Sequence, residues 1–252
     1  MGQVPDFVSE ISPSFSYLII GSGRVARHFQ NYFELSALPF KTWNRREGEA
    51  ILAERAARST HALILISDGA IESFMSQHCD VLANLTCVHF SGSLSLREIP
   101  SAHPLMSFAE SLYDLKTYES IPFVFERGRG HAGDLLPGLK NPSFSIASES
   151  KSLYHALCVL SGNYTVLLWE KVFADFSNKL QLPKEALLPY LFQIAQNLAA
   201  APSGKSVLTG PLLRGDQPTI ERHLNELKND PYAEVYRAFV TAYAHDHKGA
   251  AL

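Results

Sequence analysis

The sequence predicts an α/β domain with a mainly parallel sheet, followed by an all-α domain. Two observations carry this expectation. Up to residue 149, short apolar runs alternate with amphipathic stretches, the pattern of strand–helix–strand units. From residue 150 onward the apolar positions recur only at helical spacing. The predicted division is therefore residues 1–149 and 150–252.

The bulk composition narrows the function classes. The 252 residues are 46% apolar and 19% charged, an ordinary globular balance with ample material for a core. A formal charge of −3 gives no basic excess for a nucleic-acid backbone. Cys79, Cys87 and Cys158 are scattered without a paired framework, which fits a reduced, cytoplasmic chain. Residues 1–10 lack a signal-peptide pattern, and no apolar run reaches the length of a membrane span. The histidines offer no H-x-x-x-H pair, so no metal site is expected.

Taken in order, residues 1–13 read as a loose leader. Residues 15–20 form the first strand, and 24–33 its helix, with Val25, His28, Phe29 and Tyr32 on one face. Residues 39–43 give the second strand and 47–57 a helix. The run 62–67 (Ala-Leu-Ile-Leu-Ile-Ser) suits a strand covered on both faces. A helix over 71–78 follows, with Asp68 expected as its N-cap, then strands at 86–90, 122–126 and, at an edge, 143–146. His103-Pro104 is expected in a loop, held in extended or turn geometry by the proline. Four helices are predicted beyond: 152–176, 184–200, 217–227 with Asp216 as N-cap, and 232–245.

The turn after the first strand carries the chemistry. Gly21-Ser22-Gly23-Arg24-Val25-Ala26 is a G-x-G-x-x-A loop between an apolar strand and an amphipathic helix. The first glycine allows a tight turn, the second a close backbone approach to a pyrophosphate, and the alanine a helix packed near the sheet. The helix N-terminus offers unpaired N–H groups to the anion. This is the signature of a Rossmann dinucleotide site. At the end of the second strand, where an NAD-binding chain usually carries an acid, stand Asn44, Arg45 and Arg46. Two guanidinium groups suit a 2′-phosphate, so NADP is the expected cofactor. Ser67, Asp68 and Ser91 lie at later strand ends, where ligands of open α/β sheets bind. Arg24 either reaches a phosphate or faces solvent.

Ser91-Gly92, Ser101-Ala-His-Pro-Leu-Met-Ser-Phe108, Lys151-Ser-Leu-Tyr-His155 leading to Ser161-Gly-Asn163, and Leu208-Thr-Gly-Pro-Leu-Leu-Arg-Gly-Asp216 with His223 resemble Rossmann-like proteins carrying a DUF2520 domain. That group is similar to pyrroline-5-carboxylate reductases, ketopantoate reductases and other dehydrogenases with a 6-phosphogluconate-dehydrogenase-like helical C-terminal domain. The resemblance runs from about Phe15 to His245. It implies an NADP-binding domain and an α-helical domain that builds a homodimer in the wider superfamily. Lys151 and Lys171 flank the long helix, but neither falls on that superfamily's catalytic-lysine motif. Tyr154, His155 and Asn163 occupy the corresponding stretch.

The expected activity is an NADP-dependent oxidoreductase acting on a small carbonyl, imine or hydroxyl substrate in an interdomain cleft. The alternative is a non-catalytic NADP(H) sensor. His103 and His155 are the candidate acid/base residues. Asn163 and Arg214 are candidates for positioning substrate, with an Arg214–Asp216 ion pair as the structural alternative for Arg214. On an ideal helix, His155 and Asn163 lie about 12 Å apart along the axis and so serve different parts of a site.

Overall fold

The computed structural model describes residues 14–203 and 205–247, so the leader expected over 1–13 lies outside the described residues. By contact the chain separates into two compact units, one ending at Glu170 and the other starting at Lys171.

The first unit opens with β1 (Tyr17–Ile20), whose four residues are all buried. There follow α1 (Arg24–Leu35), β2 (Phe40–Trp43), α2 (Glu49–Ala56), β3 (His61–Ile64), α3 (Asp68–Gln77), the short α4 (Cys79–Leu82) and β4 (Thr86–His89). The strands form a wholly parallel sheet in the order β2-β1-β3-β4. Parallel neighbours need crossover connections, and the intervening helices supply them. Alternate residues of β1 feed the two layers of the core. Tyr17 and Ile19 pack with Phe29 and Phe33 of α1, while Leu18 and Ile20 pack with Leu52, Ile64 and Ile71.

A second, three-stranded sheet continues the unit. Its strands are β5 (Ala102–Pro104), β6 (Phe123–Glu126) and β7 (Ser143–Ile146), in that order, with α5 (Leu115–Ser120) and α6 (Ala132–Leu135) between them. β5 runs antiparallel to β6, and β7 parallel to it at the edge. The segment His103-Pro104, expected as a loop, is therefore a strand. The proline holds the preceding residue extended, and Ala102 and Pro104 are buried on one face while paired to Phe125 and Phe123. Three residues are too few to show an alternation in sequence. An isolated parallel bridge, His89 to Ser101, links the two sheets.

After β7 a 3₁₀ turn, Ser148–Ser150, leads into helix at Lys151, and the predicted long helix is interrupted. α7 (Lys151–Cys158) passes through a π-helical turn, Val159–Asn163, into α8 (Tyr164–Leu180). Ser161 Oγ donates to the Leu157 carbonyl at 2.9 Å within this turn. The widened turn breaks the 3.6-residue register, so the ideal spacing expected between His155 and Asn163 does not hold. The units divide inside α8.

The second unit contains the rest of α8, then α9 (Leu188–Ala200), α10 (Gln217–Glu226) and α11 (Tyr232–Asp246). A 3₁₀ turn, Lys184–Leu187, forms the start of the helix predicted from 184. Asp216 caps α10 as expected, its carboxylate accepting from the Thr219 N–H at 3.2 Å. Lys171 bonds Asp175 and Asp230, which also pair with Lys179. Among the described residues no helix is long and apolar enough to cross a membrane.

Gly21 marks the tightest point of the fold. Its φ is +133°, and a Cβ there would sit 2.2 Å from the Leu65 carbonyl oxygen. Gly21→Ala is expected to cost more than about 2 kcal/mol of stability, read as a lowered urea midpoint, because backbone must move to admit the methyl group.

Candidate functional site

A groove of about 810 Å³ runs along the carboxyl ends of β1 to β4 and reaches β5. At one end stands the glycine loop. The Gly21 N–H donates to the Trp43 carbonyl at 2.8 Å, which fixes the turn. Gly23 is the N-cap of α1. No side chain caps the helix, and its first turn holds no acid. A Cβ on Gly23 would meet nothing within 4 Å. The N–H groups at the start of α1 therefore open on the groove, with Ser22, Gly23, Arg24 and Val25 as lining. The side chain of Arg24 pairs with Glu110 at 2.8 Å, and Arg27 joins it at 3.2 Å. The Arg24 hydrogen bond and charge hold the exposed Glu110 carboxyl below its usual range.

Beyond β2 the chain folds back on itself. Asn44 donates from its backbone N–H and from its side-chain amide to one oxygen of Glu47, both at 2.9 Å, and accepts from the Arg46 N–H. The other Glu47 oxygen pairs with Arg55 at 2.7 Å. Asn44 thus shapes the turn, and the first acid after β2 is neutralised within it. Arg45 lines the groove, Arg46 is exposed beside it, and neither has an ion-pair partner among the described residues.

Ser67 and Asp68 line the middle of the groove. The expected cap role of Asp68 is corrected here. Ser67 occupies the N-cap of α3, and Asp68 lies inside the first turn. Its carboxylate accepts from Ser91 Oγ at 2.5 Å and from Ser93 Oγ at 3.4 Å, which ties α3 to the loop after β4. Ser91 Oγ in turn accepts from the Leu94 N–H at 3.0 Å.

At the far end His103 stands beside Ser91, Pro104 and Met106. Its Nδ1 lies 2.7 Å from the Tyr154 hydroxyl, and its ring meets that of His155 edge-on at 5.8 Å. Burial, His155 and the charge of Lys151 lower its pKa to about 4, so the imidazole is neutral at pH 7. His89, fully buried one strand away, is lowered to about 4 by burial and Lys151. Its Nδ1 accepts from the Ser91 N–H at 3.3 Å.

The sequence reading missed the group beneath these histidines. Lys151 and Glu126 are both buried, with Nζ 3.8 Å from Oε1. Lys151 donates to the Ser91 carbonyl at 3.1 Å and to Ser101 Oγ. Glu126 accepts from Ser95 at 2.5 Å and Ser101 at 3.0 Å. Burial lowers the ammonium pKa to about 8 against the pull of Glu126 and Asp68. Burial pushes the Glu126 carboxyl up, but the serine hydrogen bonds and Lys151 outweigh it and hold the group low. The one available signal was a carboxylate ending the apolar run Phe123-Val-Phe-Glu126, where a charge needs a partner.

The remaining candidates have their own surroundings. Asn163 is exposed at the end of the π turn and does not line the groove. Arg214 is exposed in the second unit, 3.9 Å from Asp216. His223 bonds the Tyr236 hydroxyl at 2.9 Å. Among the described residues no three His, Cys, Asp or Glu side chains are placed to hold a metal.

The two depressed histidines make stability depend on pH. The unfolded chain takes up protons near pH 6.5, whereas the folded chain resists until about 4. Their stabilising contribution is full above 6.5 and is lost as the pH falls toward 4. Urea midpoints measured across this window are expected to fall with pH, and His103→Gln is expected to flatten the slope.

Residues 126–243 match the model of a domain of unknown function, DUF2520. No curated protein matches the chain by sequence. Among solved structures, a candidate NADP oxidoreductase, BF3122 from Bacteroides fragilis, is 19% identical, with TM-score 0.70 over 92% of this chain and 98% of its own. Protein TM1727 from Thermotoga maritima is 22% identical, with TM-score 0.63 over 91% and 97%. The Plasmodium falciparum pyrroline carboxylate reductase, solved with NADP bound, is 12% identical, with TM-score 0.57 over 92% and 97%. The chain is thus similar to the DUF2520 family over residues 126–243 and shares its fold, a Rossmann domain followed by helices, with these solved structures.

Proposed function

We propose that this chain is an NADP(H)-dependent oxidoreductase acting on a small carbonyl, imine or hydroxyl substrate. One observation carries the reading. A single groove joins an uncapped helix N-terminus, an arginine without an ion-pair partner and a neutral histidine. The residues present fit the cofactor. Gly21 allows the tight turn, Gly23 leaves open space for a pyrophosphate against the α1 N–H groups, and Arg45 and Arg46 offer forks to a 2′-phosphate. When bound, NADP(H) supplies or accepts the hydride. The chain's own part is to orient substrate at the far end of the groove, where His103 offers a hydrogen bond.

The rival reading, a non-catalytic NADP(H) sensor, draws on the sequestered Lys151. Its ammonium is held by Glu126 and Ser101 and does not line the groove. Stereospecific hydride transfer to any member of a small ketone and imine panel defeats the sensor reading.

We also propose that the helices pair two copies of the chain. Phe192 and Leu198 on α9 and Phe239 on α11 leave more than half of their surface in solvent, apolar area that a partner copy would cover. Light scattering on the eluting protein is expected to give about twice the 27.9 kDa chain mass, and a monomer would contradict the pairing.

Calorimetric titration separates the cofactor claims. NADP⁺ is expected to bind at least about tenfold more tightly than NAD⁺, the scale of one charged hydrogen-bond pair. Replacing Arg45 and Arg46 together by alanine should abolish the difference. Equal affinities in the wild-type chain would remove the basis for NADP.

A further inference from the structure

His103 stands on β5 between two buried neighbours, Ala102 and Pro104. Strand alternation turns its ring to the other face, where it meets α7. There the Tyr154 hydroxyl lies 2.7 Å from Nδ1. The opposite nitrogen, Nε2, has no protein partner among the described residues, and the side chain lines the groove. A Cβ on Gly92 would come within 3.0 Å of Nε2 and 2.4 Å of the His155 ring. The absence of a side chain at Gly92 is what leaves that edge of the imidazole open.

Which way the Tyr154–His103 hydrogen bond runs decides what the groove offers. Tyr154 stays protonated, since burial and the neighbouring Cys158 raise its pKa. A phenol hydroxyl has one proton to give. Its possible acceptors are the imidazole nitrogen and the Cys158 sulfur, and sulfur is the weaker acceptor. The phenol proton therefore runs to Nδ1, the stronger acceptor.

We propose that Tyr154 is a positioning residue that holds His103 as the Nε2–H tautomer, so that the groove presents a neutral N–H donor to an acceptor on the substrate. Resting on the oxidoreductase reading, this narrows the substrate class to compounds with a carbonyl oxygen or imine nitrogen at the reacting centre. An alcohol oxygen can accept the same bond, but the alcohol's own proton, which oxidation must remove, finds no acceptor at Nε2. The charged and titratable groups around the ring are His155 and Lys151, which disfavour its protonation, and Asp68, which favours it. A hydrogen bond accepted at Nδ1 also disfavours protonation.

Long-range ¹H–¹⁵N correlation spectra of the full, uniformly labelled chain read the tautomer directly, with the His103 signals identified by their loss in His103→Gln. The expected result at neutral pH is an unprotonated Nδ1 and a protonated Nε2, in a single form. Tyr154→Phe is expected to mix the tautomers and to raise the His103 pKa by about one unit, the scale of one lost hydrogen bond. A wild-type spectrum with the proton on Nδ1 overturns the proposal, as does a Tyr154→Phe spectrum identical to wild type. Should that variant not fold, the wild-type spectrum still decides which atom donates. A substrate panel in which only hydroxyl compounds turn over also overturns it. The tautomer is read without cofactor, so failure to bind NADP⁺ counts against the oxidoreductase reading alone.

Discussion

An ammonium group almost cut off from water holds the far end of the groove together. Lys151, the first residue of α7, reaches the carbonyl of Ser91 after β4 and the hydroxyl of Ser101 before β5, with Glu126 of β6 as its counter-charge. One side chain thereby joins the ends of three strands to the start of a helix. Bringing these charges out of water is costly, and removing one partner costs more, because the other is left buried and uncompensated. That asymmetry makes the arrangement hard to vary. It also sets what stands above it. Tyr154 and His155 follow on the first turns of α7 and meet His103 there.

The groove shows a gradient of chemistry along its length. The glycine-loop end is built for negative charge, with unpaired N–H groups on one side and Arg45 on the other. Nearby charges that would complicate this are spent locally: Arg24 on Glu110, Glu47 on Asn44 and Arg55. The far end is kept uncharged. His103 and His89 are neutral at pH 7 because the field of the buried lysine adds to the cost of burial. Lys151 thus acts on the groove through its charge while its ammonium stays outside it.

Much of the fold was legible in sequence, and the reason is locality. The apolar runs of β1, β3 and β4, the glycine loop and the N-cap of α10 each depend on residues a few positions apart. What escaped depends on distant partners. β5 is recognisable only from its pairing with β6, Asp68 only from Ser91, and Lys151 only from strands far behind it in the chain. The π turn escaped for another reason. Its apolar residues keep a helical pattern in sequence, and only the backbone reveals the added width. For the candidate site, sequence located both ends of the groove, in Gly21–Val25 and His103. It gave no sign that Asn163 lies outside the groove lining.

The seven strands among the described residues are not one continuous ladder. Within each sheet every strand is bonded along its length, but between β4 and β5 stand the lone bridge from His89 to Ser101 and the bond from the His89 N–H to the Pro100 carbonyl. Side chains cross the seam where backbone bonding is thin: Phe29 of α1 packs on Phe90 after β4 and on Phe123 of β6, so both sheets share one core. His89, Ser91, Ser101 and His103 all lie along this seam. The chemistry-bearing end of the groove therefore sits where the two sheets are joined by side chains, the Lys151 clamp among them, more than by backbone hydrogen bonds.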